Sequence, residues 1–100
     1  MLIIETNTKR EFSPSGALLK PLLDAGKTHT LLLSLDAGQA VAPCQMSFLV
    51  LYYFIEGKGQ IYMGEEQAEF QAGSLIAVPV GAIRSITASL QTHVLVIQIP

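Results

Sequence analysis

The stretch from Gly73 to Arg84, Gly-Ser-Leu-Ile-Ala-Val-Pro-Val-Gly-Ala-Ile-Arg, constrains the fold of this chain more than any other. Its apolar run, Leu75 to Val78, ends at Pro79, which has a fixed backbone angle and no amide hydrogen to give to a sheet ladder. Two residues on, Gly81 can enter the left-handed region that closes a tight corner. Ala82 and Ile83 then lead into Arg84. The pattern reads as a strand, a sharp corner and a second strand.

The rest of the chain follows the same grammar. Leu2 to Glu5 is an apolar segment that can add an edge strand, and Thr6 to Gly16 is mostly polar, with Ser13-Pro14-Ser15-Gly16 as a turn signal. Ala17 to Leu23 is a strand confined to an edge or bulge by Pro21, and Asp24 to Lys27 turns it into a hairpin. In Thr28 to Asp36 the residues Leu31, Leu33 and Leu35 alternate with Thr30, Leu32 and Ser34, giving one fully apolar face and one half-apolar face. Phe48 to Ile55 is the most hydrophobic run and predicts a strand buried on both faces, one lining an interior and the other meeting a partner subunit. Glu56 to Gly59 reads as a hairpin turn, Gln60 to Met63 as a strand, Gly64 to Glu66 as a turn and Gln67 to Gln71 as a strand. Ile61, Met63, Ala68 and Phe70 are the sheet-packing residues of this strand pair. Ser85 to Leu90 alternates again, and His93 to Ile99 is a final apolar strand. With no helical periodicity, no repeat and no linker, closely spaced strands separated by Gly and Pro predict an all-β, antiparallel barrel or sandwich.

Charge and composition narrow the function classes. One hundred residues support a single domain, 1–100, with residues 1–16 as an N-terminal strand and loop. Six scattered basic residues and a formal net charge of −2 argue against nucleic acid as a partner. No run reaches the roughly 20 apolar residues of a membrane span, and the amino terminus lacks an export signal, so no membrane association and a cytoplasmic location are expected. The single cysteine, Cys44, fits a reducing compartment. Half the residues are hydrophobic and only 14% are charged, an apolar balance for so small a surface, which predicts a homodimer.

Between Leu31 and Ile99 the glycines and the proline match the spacing of the two cupin motifs, and the chain resembles the cupin superfamily. In the first motif, Gly38 is followed after five residues by Cys44, then Gln45, Met46, three residues, Val50, six residues and Gly57. In the second, Gly73, Pro79, Gly81, Arg84 and Ala88 stand at the motif positions. The resemblance implies an antiparallel double-stranded β-helix, the jelly-roll or cupin barrel. In metal-containing members, three histidines and a glutamate hold Fe, Mn, Ni or Zn, and those places are taken here by Cys44, Met46, Arg84 and Val50. Valine has no donor atom and a guanidinium has no lone pair to offer. Neither a metal nor another cofactor is therefore expected.

The motif's strand parity points Arg84 inward with Ile86 and Ala88. Among Val50, Tyr52, Ile86 and Met46, its guanidinium could clamp the carboxylate or phosphate of a small ligand. The competing reading places Arg84 at the rim, with its head in water or paired with an acid such as Glu56. Arg84, Tyr52, Met46 and Cys44 form the candidate ligand-binding set, and no catalytic residue is assigned. Cys44 and Met46, with Met63 or His93, are soft donors of the kind that bind Cu(I), but their spacing does not support a site, and a Cys and a Met at such places are more often adaptable packing residues. No base stands convincingly beside Cys44 to make it a nucleophile. His29 and His93 read as surface or core-edge residues.

Two functions follow as expectations. One is a metal-free, non-enzymatic barrel that binds a small molecule or acts as a structural or sensory dimer, in the manner of cupins attached to regulators. The other is a metal-independent isomerase, epimerase or lyase similar to the sugar epimerase branch, with His29, His93, Tyr52 and Arg84 as the only acid–base candidates.

Overall fold

Nine strands account for most of the chain in the computed structural model, which describes all of residues 1–100. They are β1 (Leu18–Ala25), β2 (Thr28–Leu35), β3 (Ala40–Cys44), β4 (Leu49–Glu56), β5 (Lys58–Met63), β6 (Glu66–Gln71), β7 (Leu75–Val78), β8 (Arg84–Ala88) and β9 (Thr92–Ile99). Every pairing is antiparallel. One sheet has the order β1-β2-β9-β4-β7 and the other β3-β8-β5-β6. Consecutive strands repeatedly change sheet, so the chain winds as a double-stranded β-helix around one core.

That core follows from the alternation. Leu33 and Leu35 of β2, Val50, Tyr52 and Phe54 of β4, and Val94 and Val96 of β9 face Ile61 of β5, Phe70 of β6 and Ile86 and Ala88 of β8. At one end, the rings of Phe54 and Phe70 stack with centroids 3.9 Å apart. Gly59 lies beneath that stack because no side chain fits there: a Cβ would run into the Thr87 carbonyl and lie 2.7 Å from the Phe70 ring.

Pro21 sits in the edge strand β1, and the β1–β2 register shifts between Pro21 and Leu23, the bulge that a missing amide hydrogen favours. Pro79 and Gly81, the latter at φ +81°, form the corner between β7 and β8.

Two expectations need correction. Leu2 to Glu5 forms no strand. It leads into a single 3-10 turn, Thr6–Lys9, and the segment after it crosses the outer face of the five-stranded sheet. There Arg10 pairs with Glu56 at 2.9 Å, the Phe12 ring lies 4.8 Å from His93, and Gln39 Nε2 donates to the Ser13 carbonyl. These side-chain anchors fix the segment to a face rather than along an edge. Glu56 to Gly59 is not a hairpin turn, because β4 pairs with β7 and β9 while β5 pairs with β6 and β8. The chain changes sheet at Gly57, which has φ +111° and packs directly on Thr92. Within the single chain, Val50, Tyr52 and Phe54 of β4 point inward, while Tyr53 on the outer face is 41% exposed.

Candidate functional site

Antiparallel partners directly opposite each other project to the same face, so register decides what surrounds Arg84. In β3-β8-β5, Cys44 and Met63 are its two cross-strand partners, which places the guanidinium stem between two sulfur side chains. The facing sheet supplies Tyr52 and Val50 from β4, opposite Ile76 and Val78 of β7. The loop between β3 and β4 brings Met46 against the same core. This loop is tied to the β7–β8 corner: the Gly81 amide donates to the Met46 carbonyl at 3.0 Å, and Gln45 Nε2 donates to the Gly81 carbonyl at 2.8 Å. Together the two loops cap the barrel end opposite the phenylalanine stack.

Within this end, Arg84 is 1% exposed. Its Nε donates to the Tyr52 hydroxyl at 3.1 Å and its Nη1 to the Ala82 carbonyl at 3.0 Å. Nη2 is buried and has no partner. None of the four ion pairs in the molecule involves Arg84, and Glu56 is engaged on the outer face by Arg10. The rim and Glu56 readings of Arg84 are therefore incorrect. Burial raises the Tyr52 pKa, outweighing the hydrogen bond and charge of Arg84 that favour the phenolate, so Tyr52 remains a neutral phenol.

The four ligand-set residues thus share one barrel end: Arg84 and Tyr52 are in contact, Cys44 is Arg84's partner in the ladder, and Met46 packs from the cap. The histidines do not join them. His29 stands at the start of β2, between β1 and β9 and on the same face as Val50 by register, and its Nδ1 donates to Asp24 Oδ1 at 2.7 Å. His93 projects from the outer face of β9 and is buried beneath the N-terminal segment. Its Nδ1 shares a 2.8 Å hydrogen bond with Ser34 Oγ, and its Nε2 lies 3.6 Å from Glu56 Oε1. Burial, reinforced by Arg10, lowers the His93 pKa against the opposing pull of Glu56. Sequence reading missed the Ala82 carbonyl and the Arg10–Phe12 clamp. The former was signalled by the corner itself, where a carbonyl two residues before Arg84 must point somewhere; the latter had no local signal.

The residues at the motif's metal positions do not fit a transition metal. Val50 is core packing at 1% exposure, and Arg84 fills its position with a cation anchored by two hydrogen bonds. No three His, Cys, Asp or Glu side chains gather in a metal-binding group. What the site does leave is one buried hydrogen-bond donor without a partner, Arg84 Nη2.

No protein-family model and no curated protein match the chain by sequence. Solved structures do match. A Thermus thermophilus protein superposes with a TM-score of 0.91 at 23% identity, over 100% of this chain and 98% of its own. A Klebsiella pneumoniae protein with a double-stranded β-helix domain gives 0.90 at 13% identity, over 98% and 89%. A cupin superfamily protein from Desulfitobacterium hafniense gives 0.84 at 18% identity, over 92% and 84%. These are likenesses of architecture, and together with the two-sheet topology and the motif corner they establish that the chain has the cupin fold.

Proposed function

We propose that this protein is a metal-free, non-enzymatic cupin barrel that binds a small organic anion at Arg84. The carrying observation is the buried guanidinium with an unpartnered Nη2 and no carboxylate beside it. A buried cation without a counter-charge is costly, and an anion entering from outside would supply the missing partner. Nη2 supplies the free donor, and the neutral Tyr52 hydroxyl, already accepting from Nε, can donate its own proton to the same anion. The capping loops, joined by only two hydrogen bonds to Gly81, are the parts of this end most easily parted.

Calorimetric titration with a panel of small carboxylates, comparing the wild type with Arg84→Met, tests the reading. Binding that weakens at least tenfold in Arg84→Met supports it, and a carboxylate bound equally by both proteins overturns it. The isomerase reading is weaker because it needs a base beside the ligand, and His93 is on the opposite side of the sheet while His29 is engaged by Asp24 at the start of β2. The proposal includes self-association through the outer face of β4, β7 and β9. It is supported by the cross-strand apolar row of Leu75, Tyr53 and Leu95, of which Leu75 is 64% exposed.

A further inference from the structure

A cavity of about 160 Å³ opens in the seam between β6 and β7, where the two sheets part at their edges. Its apolar wall includes Ile61, Met63, Ala68, Ile76 and Val78, and Glu66 stands on its lining as the charged member. Its volume is close to that of an engineered, enclosed apolar cavity of about 150 Å³ that accepts benzene, but this one is open to solvent on one side. Arg84 does not line it, but the pairings leave little between them. Met63 is the cross-strand neighbour of Arg84, and Ile76 is that of Tyr52. One strand spacing, about 4.8 Å, therefore separates the Arg84–Tyr52 pair from the cavity wall. Met63, unbranched with three rotatable side-chain bonds, is the residue whose movement would open a path from the cavity to Arg84.

We infer that the anion held at Arg84 is a monocarboxylate with a short apolar tail, the tail lying in the β6–β7 seam and Glu66 selecting against a second carboxylate at its far end. This rests on the reading of Arg84 given above. The polar head meets the one buried cation, and the tail meets the adjoining apolar wall. A dicarboxylate of the same length would bring its second charge into apolar surroundings beside Glu66, where like charges repel.

The test is calorimetry with acetate, butyrate, hexanoate and adipate on the wild type and on Arg84→Met, Ala68→Phe and Glu66→Gln. Affinity is expected to rise roughly fourfold per added methylene, the increment for burying one CH₂, and hexanoate to bind at least tenfold more tightly than adipate. Ala68→Phe, which fills the cavity from an exposed position on an edge strand, is expected to abolish the chain-length gain while leaving acetate unchanged. Glu66→Gln, on the surface and without risk to folding, is expected to narrow the hexanoate-to-adipate ratio several-fold. Equal affinity for acetate and hexanoate in the wild type, or an unchanged ratio in Glu66→Gln, overturns the seam assignment. If Arg84→Met loses all binding while chain length has no effect, only the seam assignment fails. If Arg84→Met binds as well as the wild type, or the wild type binds no member, the Arg84 reading fails with it.

Discussion

Replacing both members of the buried pair, as Arg84→Met with Tyr52→Phe, should stabilise the ligand-free protein. Arg84 is 1% exposed and carries an unpartnered Nη2 with no counter-charge. A buried, unsatisfied polar group costs about 1–3 kcal/mol, and the residual penalty of burying the ion itself is several kcal/mol. Against this stand the two hydrogen bonds, to Tyr52 and the Ala82 carbonyl, worth about 1.5–3 kcal/mol each because the donor is charged. Arg84→Met alone would leave the Tyr52 hydroxyl buried and unpaired, returning about 1–3 kcal/mol of the gain. Changing Tyr52 to Phe at the same time removes that debt, and substituting buried ionic groups with apolar ones of similar volume has stabilised other proteins by about 1–4 kcal/mol. A domain of this size shifts its Tm by about 4–8 °C per kcal/mol. Urea denaturation and calorimetry of the wild type, both single variants and the double variant close the cycle. A double variant destabilised by 1 kcal/mol or more would show that the guanidinium is net stabilising without a ligand, and would refute the reasoning behind the anion site.

Three further outcomes follow from the same geometry. Because the folded pKa of His93 is lowered from 6.5, the unfolded chain binds more protons than the folded one as pH falls past that value, so stability is complete above about pH 6.5 and declines on acidification; a denaturation midpoint that does not fall between pH 7.5 and 5, or falls equally in His93→Gln, would contradict this. Gly59→Ala should cost about 1–3 kcal/mol, because the new methyl meets the Thr87 carbonyl and the Phe70 ring, and a wild-type Tm would show that the stack can move aside. Tyr53→Glu with Leu75→Glu, on the outer face of β4 and β7, should leave the fold's circular dichroism intact while converting a dimer to a monomer by light scattering, and an unchanged oligomeric mass would place the association surface elsewhere.

The strands and corners were legible because their causes are local. Pro21 removes a ladder hydrogen and marks an edge; Pro79 and Gly81 close a corner; Leu31, Leu33 and Leu35 recur with the period of a strand. The inward direction of Arg84 was legible for the same reason, since strand parity carries from Ile86 and Ala88. The Leu2–Glu5 segment and the Glu56–Gly59 corner misled because an apolar run or a Gly-rich turn has the same sequence whether it pairs with its neighbour or changes sheet.

The sequence by itself determined an antiparallel β barrel, its main corners, and a basic residue where metal-containing cupins have a histidine. Only the tertiary structure decided that this cation is left without a counter-charge, that Cys44 and Met63 flank it, that His93 lies on the other side of the sheet, and that an apolar cavity opens one strand away. Register between strands far apart in the chain sets those relations, and side-chain pattern along a single strand holds no information about which strand will lie beside it.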